Sequence, residues 1–180
     1  MNKHLTITGI TAASALVFPA QVFATRFLTI EEAQKQMFAD ASFLPASIKL
    51  TNDDKAKIKA ITGNTPSFSV IKGWKATAGG KTVGFVYMDY VIGKHLLIDY
   101  ALALNADGTV KQVEILEYRE SYGGEIRNAG WRKQFKGKKA SSLLLLNSDI
   151  YNISGATLSC RHLTKGIKNL LTIHEKFGKN

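Results

Sequence analysis

The chain has 180 residues, of which 45% are hydrophobic, and a formal net charge of +10. That is room for one domain with a genuine buried core, which excludes a disordered tail protein. A single cysteine, Cys160, excludes an internal disulfide and also covalent haem attachment, which needs a Cys-x-x-Cys-His run.

Residues 1–24 read as a targeting segment rather than as part of the fold. Lys3 and His4 make a short basic start, Leu5 to Phe18 is an apolar and small-residue run, and Val22-Phe23-Ala24 suits a signal peptidase. The run is shorter than the roughly 20 residues a membrane-spanning helix needs and is diluted by Thr and Gly, which argues against a retained anchor. Cleavage after Ala24 is expected, leaving a periplasmic or extracytoplasmic chain with no transmembrane span. Losing the leader lowers the charge by one, that of Lys3, so anionic partners are favoured. Nucleic acid is not expected among them, because an exported chain rarely meets it and the basic residues are scattered apart from Arg132 to Lys139.

Residues 25–66 are expected to form a helical lead-in. Thr29 is placed as an N-cap with Glu32 in the capping-box position and Ala33, Met37 and Phe38 on one face, the helix ending near Asp40. A second short helix is predicted over Asp53 to Ile61, capped by Thr51 or Asn52 and closed by Gly63. Pro66 marks a boundary, and the domain proper is assigned to residues 67–180.

From Ser67 the pattern turns to strands. Phe68 to Lys72, Trp74 to Thr77 and Val83 to Val91 are rich in β-branched and aromatic residues, with a Gly79-Gly80 turn between the last two. Leu97 to Asn105 and Val110 to Tyr118 follow, joined by Asn105-Ala106-Asp107-Gly108, whose Asp-Gly favours a tight turn. After a Gly123-Gly124 loop the chain passes Trp131, Phe135 and the apolar Leu143 to Leu146 into a last helix starting near Leu158, with Leu163, Ile167, Leu170, Leu171 and His174 on one face. Helices, strands and then a helix, without regular β-α-β alternation, predict an α+β fold: a twisted antiparallel sheet packed against a C-terminal helix, with N-terminal helices.

The stretch most informative about chemistry is Asp149 to Ser159. Its small, hydroxyl-rich turn, Ser154-Gly155-Ala156-Thr157, opens an amphipathic helix. The first N–H groups of a helix lack internal partners and carry the positive end of its dipole, so an anion can approach the backbone there, with the Thr157 hydroxyl at hand. Local physics alone favours an ordinary helix cap at this place. His95, His162 and His174 share no metal-ligand spacing, so no metal site is expected.

Ser154-Gly155-Ala156-Thr157 resembles the acceptor motif of the FMN-binding domain family, found in subunits of sodium-translocating and Rnf-type electron-transport complexes and in small exported flavoproteins. Glu117 to Glu125 is similar to that family's Glu-Ser/Thr and glycine-rich loop, and precedes the acceptor turn at a similar distance. The resemblance covers roughly Ser67 to Leu171. It implies FMN joined by a phosphoester to Thr157, attached by a separate magnesium-dependent flavin transferase that uses FAD and releases AMP. It also implies that Glu120, Ser121, Gly123 and Gly124 lie against the flavin, and that membrane or periplasmic redox partners exchange electrons with it. The family motif commonly has Asp three residues before its Ser, whereas this chain has Tyr151 there and its nearest acid at Asp149. Three readings follow: an exported electron-transfer flavoprotein and not a stand-alone catalyst, a noncovalent FMN-binding module, or a flavin-free basic scaffold that docks on an acidic partner.

Overall fold

A computed structural model describes residues 25–178; the expected signal peptide lies outside the described residues. In chain order the elements are β1 (Thr25–Arg26), α1 (Ile30–Met37), β2 (Ser42–Pro45), β3 (Ile48–Lys49), α2 (Asn52–Thr62), β4 (Val70–Ala78), β5 (Lys81–Ile92), β6 (Leu97–Asn105), β7 (Val110–Tyr118), α3 (Ala129–Arg132) and α4 (Thr157–Phe177). A single turn of 3-10 helix flanks α3 on either side.

The strands form one curled antiparallel half-barrel in the order β1-β7-β6-β5-β4-β2, with β3 also paired to β4. Strand β6 is at its centre, paired with β5 from Ile92↔Leu97 to Gly84↔Asn105 and with β7 from Ile98↔Tyr118 to Leu104↔Val110. Its near-continuous apolar run is explained by burial on both faces. Ile98, Tyr100, Leu102 and Leu104 join the core under α4, whereas Ala101 and Ala103 face α1 through Ala33, Met37 and Phe38. Alternation along a strand sends successive side chains to opposite faces, and here both faces are covered.

Helix α4 contributes Cys160, Leu163, Ile167, Leu170 and Leu171 to the larger core, all essentially inaccessible. Burying each of the aliphatic side chains is worth roughly 1.5–3 kcal/mol over leaving it in water. The helix comes unusually close to the sheet at Gly166, where a Cβ would stand 2.6 Å from the Tyr100 hydroxyl and 2.8 Å from Val91 Cγ1. His174, on the same buried face, meets the Tyr87 hydroxyl at 2.8 Å through Nδ1. On the other face Gly84 plays the equivalent part, its Cα facing the Phe38 ring and the Leu104 carbonyl at distances no side chain would allow.

The expected capping box forms at the first helix, and the second helix, capped by Thr51, has one as well. Thr29 accepts from Glu32 N–H while the Glu32 carboxylate accepts from Thr29 N–H, and Thr51 and Asp54 repeat the exchange. The first helix stops at Met37, three residues short of the expected Asp40, and the second ends at a left-handed Gly63. The lead-in is more than helical. It supplies β1, β2 and β3, so it completes both edges of the sheet. The expected strands Phe68 to Lys72 and Trp74 to Thr77 merge into one, β4, which starts at Val70, two residues later than expected, and runs without a break through Gly73. Leu143 to Leu145 is irregular chain and Leu146 bridges to Ile150 across a turn at 147–149: Leu144 is buried, and the Asp149 carboxylate accepts from Leu144 N–H at 3.2 Å, Leu145 N–H at 2.7 Å and Lys138 Nζ at 2.8 Å.

Candidate functional site

Three segments distant in sequence converge at one end of the half-barrel: residues 94–96 between β5 and β6, residues 120–122 after β7, and residues 155–159 at the start of α4. They line an open cleft of about 540 Å³, within the ~300–1,000 Å³ usual for sites that hold small molecules and cofactors.

The loop after β7 is held onto the helix by its own backbone. Tyr118, the last residue of β7, is buried and donates its hydroxyl to Tyr122 O at 2.5 Å, with Ser159 Oγ 3.4 Å away. Gly123 follows at φ +83°, and a Cβ there would meet the Tyr118 hydroxyl at 2.9 Å and the Ser159 hydroxyl at 3.3 Å. Only glycine combines that left-handed backbone with so close an approach, and this is how the two motifs are brought together. Gly124 begins the single-turn helix that Arg127 ties down by donating Nε to Gly124 O at 3.0 Å.

Glu120 turns towards the third segment. Its Oε1 accepts the N–H of His95 at 2.5 Å and of Leu96 at 2.8 Å. Burial pushes this carboxyl up, but the backbone N–H groups of residues 94–96 and the charge of His95 outweigh it and hold it below the usual glutamate range. Glu120 therefore braces one wall of the cleft on another. Ser121 lines the same cleft beside it.

At the other wall, Gly155 adopts φ +85° with open space where a side chain would be, and the chain then turns into α4. Thr157, not Leu158, is the first helical residue, after the buried Ala156 at the N-cap position. No side chain caps this helix and no acid stands in its first turn. Its leading N–H groups and the positive end of its dipole thus remain available to an anion. The Thr157 hydroxyl accepts from Asn152 Nδ2 at 2.9 Å.

Of the eight residues expected from sequence, Thr157, Gly155, Ala156, Glu120 and Ser121 line the cleft. Gly123 and Gly124 line a recess that adjoins it through Ser121 and Tyr122. Ser154 is exposed at the foot of the turn and does not line it. Sequence reasoning missed Lys94, His95 and Leu96, whose signal is purely non-local, and Asn152, whose five-residue spacing from Thr157 could have flagged it. Of the aromatics around these segments, Tyr118 and Trp131 belong to the core, while Tyr122 is 87% exposed at the cleft. Leu96 and Leu158 add a partly exposed apolar rim.

Several neighbouring groups are engaged elsewhere. Arg119 makes a bidentate pair with Asp99 at 2.8 and 2.9 Å and also reaches Glu117 at 2.9 Å. His162 donates Nδ1 to Ile92 O at 2.6 Å. Cys160 is buried, and burial pushes its thiol up rather than activating it.

The residues present suit a flavin mononucleotide. An uncapped helix start with a threonine hydroxyl meets a phosphate, and the apolar rim of Leu96, Tyr122 and Leu158 meets a planar ring. Comparison with known proteins agrees with that chemistry. Residues 93–172 match the FMN-binding domain, a span containing all three segments of the cleft. The chain is 26% identical over 179 residues to a subunit of the proton-translocating ferredoxin:NAD(+) oxidoreductase complex of Clostridium ljungdahlii, covering 93% of this chain and 86% of that protein. Its fold is similar to that of the crystal structure of Shewanella oneidensis NqrC, with a TM-score of 0.54 and 18% identity over 74% of this chain and 80% of that one.

Proposed function

We propose that this chain, whose residues 93–172 match the FMN-binding domain, is an exported electron carrier of the same kind as the redox subunits it resembles, holding FMN by a phosphoester on Thr157. The observation that carries this reading is the convergence of the glycine-rich loop and the uncapped start of α4 on one cleft, with the Thr157 hydroxyl on its wall.

When bound, FMN supplies one- and two-electron redox chemistry. The protein's own part is to bind and orient. The leading N–H groups of α4 take the phosphate charge, Gly155 leaves room beside it, and Gly123 and Glu120 fix the two facing loops. Leu96, Tyr122 and Leu158 would give a bound ring apolar contact, and the open cleft would leave it within reach of a partner.

The relative is by name a subunit of a proton-translocating oxidoreductase complex, and a membrane or extracytoplasmic donor or acceptor fits this chain. No helix among the described residues is long and apolar enough to cross a membrane. Residues 1–24 supply the export signal in this account, and a flavin transferase supplies the attachment. The test is to express the full chain with its leader and a flavin transferase, collect the extracytoplasmic fraction and denature it. Flavin absorbance that stays with the polypeptide supports the reading. Absorbance released on denaturation favours a noncovalent FMN module, and a colourless protein contradicts both.

A further inference from the structure

The Thr157 hydroxyl has one side-chain partner among the described residues, Asn152, whose Nδ2 donates to it at 2.9 Å. The other side of that amide, Oδ1, is buried and has no hydrogen-bond partner. A buried, half-satisfied amide is costly to keep, and nothing but Thr157 decides which way it faces. The backbone beneath it is held independently: Tyr151 N–H donates to Gln134 Oε1 at 2.6 Å and Tyr151 O accepts from Trp131 Nε1 at 2.7 Å. The nearest acid, Asp149, is consumed by Lys138 and the backbone N–H groups of Leu144 and Leu145. The Tyr151 side chain stands largely in solvent.

We infer that Asn152 is the positioning residue for Thr157, orienting its hydroxyl for phosphoester formation and then holding the ester oxygen once it has formed. This rests on the assignment of Thr157 as the attachment point. A primary amide offers an acceptor on one side and a donor on the other, and a half-turn exchanges them. With Oδ1 towards Thr157, the amide accepts the hydroxyl proton and turns an oxygen lone pair outward to the cleft. Attack on the FMN phosphorus of FAD then forms the Oγ–P bond and breaks the anhydride bond between the two phosphates. AMP leaves with that electron pair, and the hydroxyl proton passes to solvent. The ester oxygen that remains can only accept, and the amide turned back presents Nδ2, as in the structure. A carboxylate serves the first state as well as an amide does, but cannot donate in the second.

The experiment follows the gain of mass on the folded full-length protein, incubated with flavin transferase, FAD and magnesium, for wild type, Thr157→Ala, Asn152→Ala and Asn152→Asp. Thermal unfolding of each variant is recorded beforehand. The expected result is no gain for Thr157→Ala, a rate at least tenfold below wild type for Asn152→Ala with unfolding unchanged, and a rate within about threefold of wild type for Asn152→Asp at neutral pH. The Asn152→Asp rate, taken relative to wild type, should fall towards about pH 4 as the carboxylate is protonated, a dependence that a merely structural asparagine would not create. Asn152→Ala modified at the wild-type rate, or Asn152→Asp as slow as a tenfold loss, overturns the inference. The isosteric Asn152→Asp decides alone if the alanine variant unfolds. A wild type that gains no mass overturns the Thr157 assignment itself and this inference with it, whereas a modified wild type with an indifferent Asn152 overturns only the inference.

Discussion

The Glu120 carboxylate accepts the backbone N–H of Leu96 at 2.8 Å, so the loop that follows β7 holds the loop that precedes β6. The two are neighbours because β6 and β7 pair in register at Ile98↔Tyr118, which sets the chain on either side of the pair at the same end of the sheet. One side chain thereby gives the cleft a second wall.

Replacing Glu120 with Ala should free residues 94–96 and cost about 1 kcal/mol, less than the roughly 1.5–3 kcal/mol of a hydrogen bond to a charged group because the site is open to water. Glu120→Gln keeps an acceptor and should lose less. Protection of the His95 and Leu96 amides against hydrogen exchange reads this directly. The same bond gives the wild type a pH dependence. Because the folded carboxyl is held below its ordinary value, its contribution is complete above the unfolded pKa of about 4.3 and is lost as pH falls through the folded one. Amide protection should drop in that acid window in wild type and stay level in Glu120→Gln.

Gly166→Ala places a methyl against the Tyr100 hydroxyl, which is itself anchored by donating to Asp89 at 3.0 Å and cannot step aside. Overpacking of this kind costs about 1–3 kcal/mol, and the helix-propensity gain of about 1 kcal/mol over glycine offsets only part of it. With two clashes inside 3 Å the cost lies in the upper half of that range, so a net loss of about 1–2 kcal/mol is expected in denaturant unfolding. An unchanged midpoint would mean that α4 does not rest on β6 as closely as described.

Cys160 should resist alkylation in the native state, since its thiol is buried and its pKa raised. Modification at neutral pH is expected to be at least tenfold slower than in denatured protein. Fast native labelling would show that the first turns of α4 open readily.

The long strands were legible because period, turn and bounds agreed: Leu97 to Asn105 and Val110 to Tyr118 match β6 and β7 to the residue. The edge strands were not. Thr25–Arg26 and Ile48–Lys49 have two residues each, too few for any alternation to show, and they are strands because β7 and β4 offer them unpaired backbone. Gly73 read as a break between strands, yet it sits inside β4, where a Cβ would meet the Tyr87 ring at 2.7 Å. Glycine there is explained by the neighbour, not by a turn. For the cleft, the two motifs were legible as motifs. The wall at residues 94–96 was not, because what marks it is the reach of Glu120 from the loop after β7.

The central claim is most directly tested by the intact mass of the exported, denatured protein made with a flavin transferase present, comparing wild type with Thr157→Ala. The account predicts one added FMN phosphoester on the wild type and none on the variant. An unmodified wild type, or a modified Thr157→Ala, would contradict it.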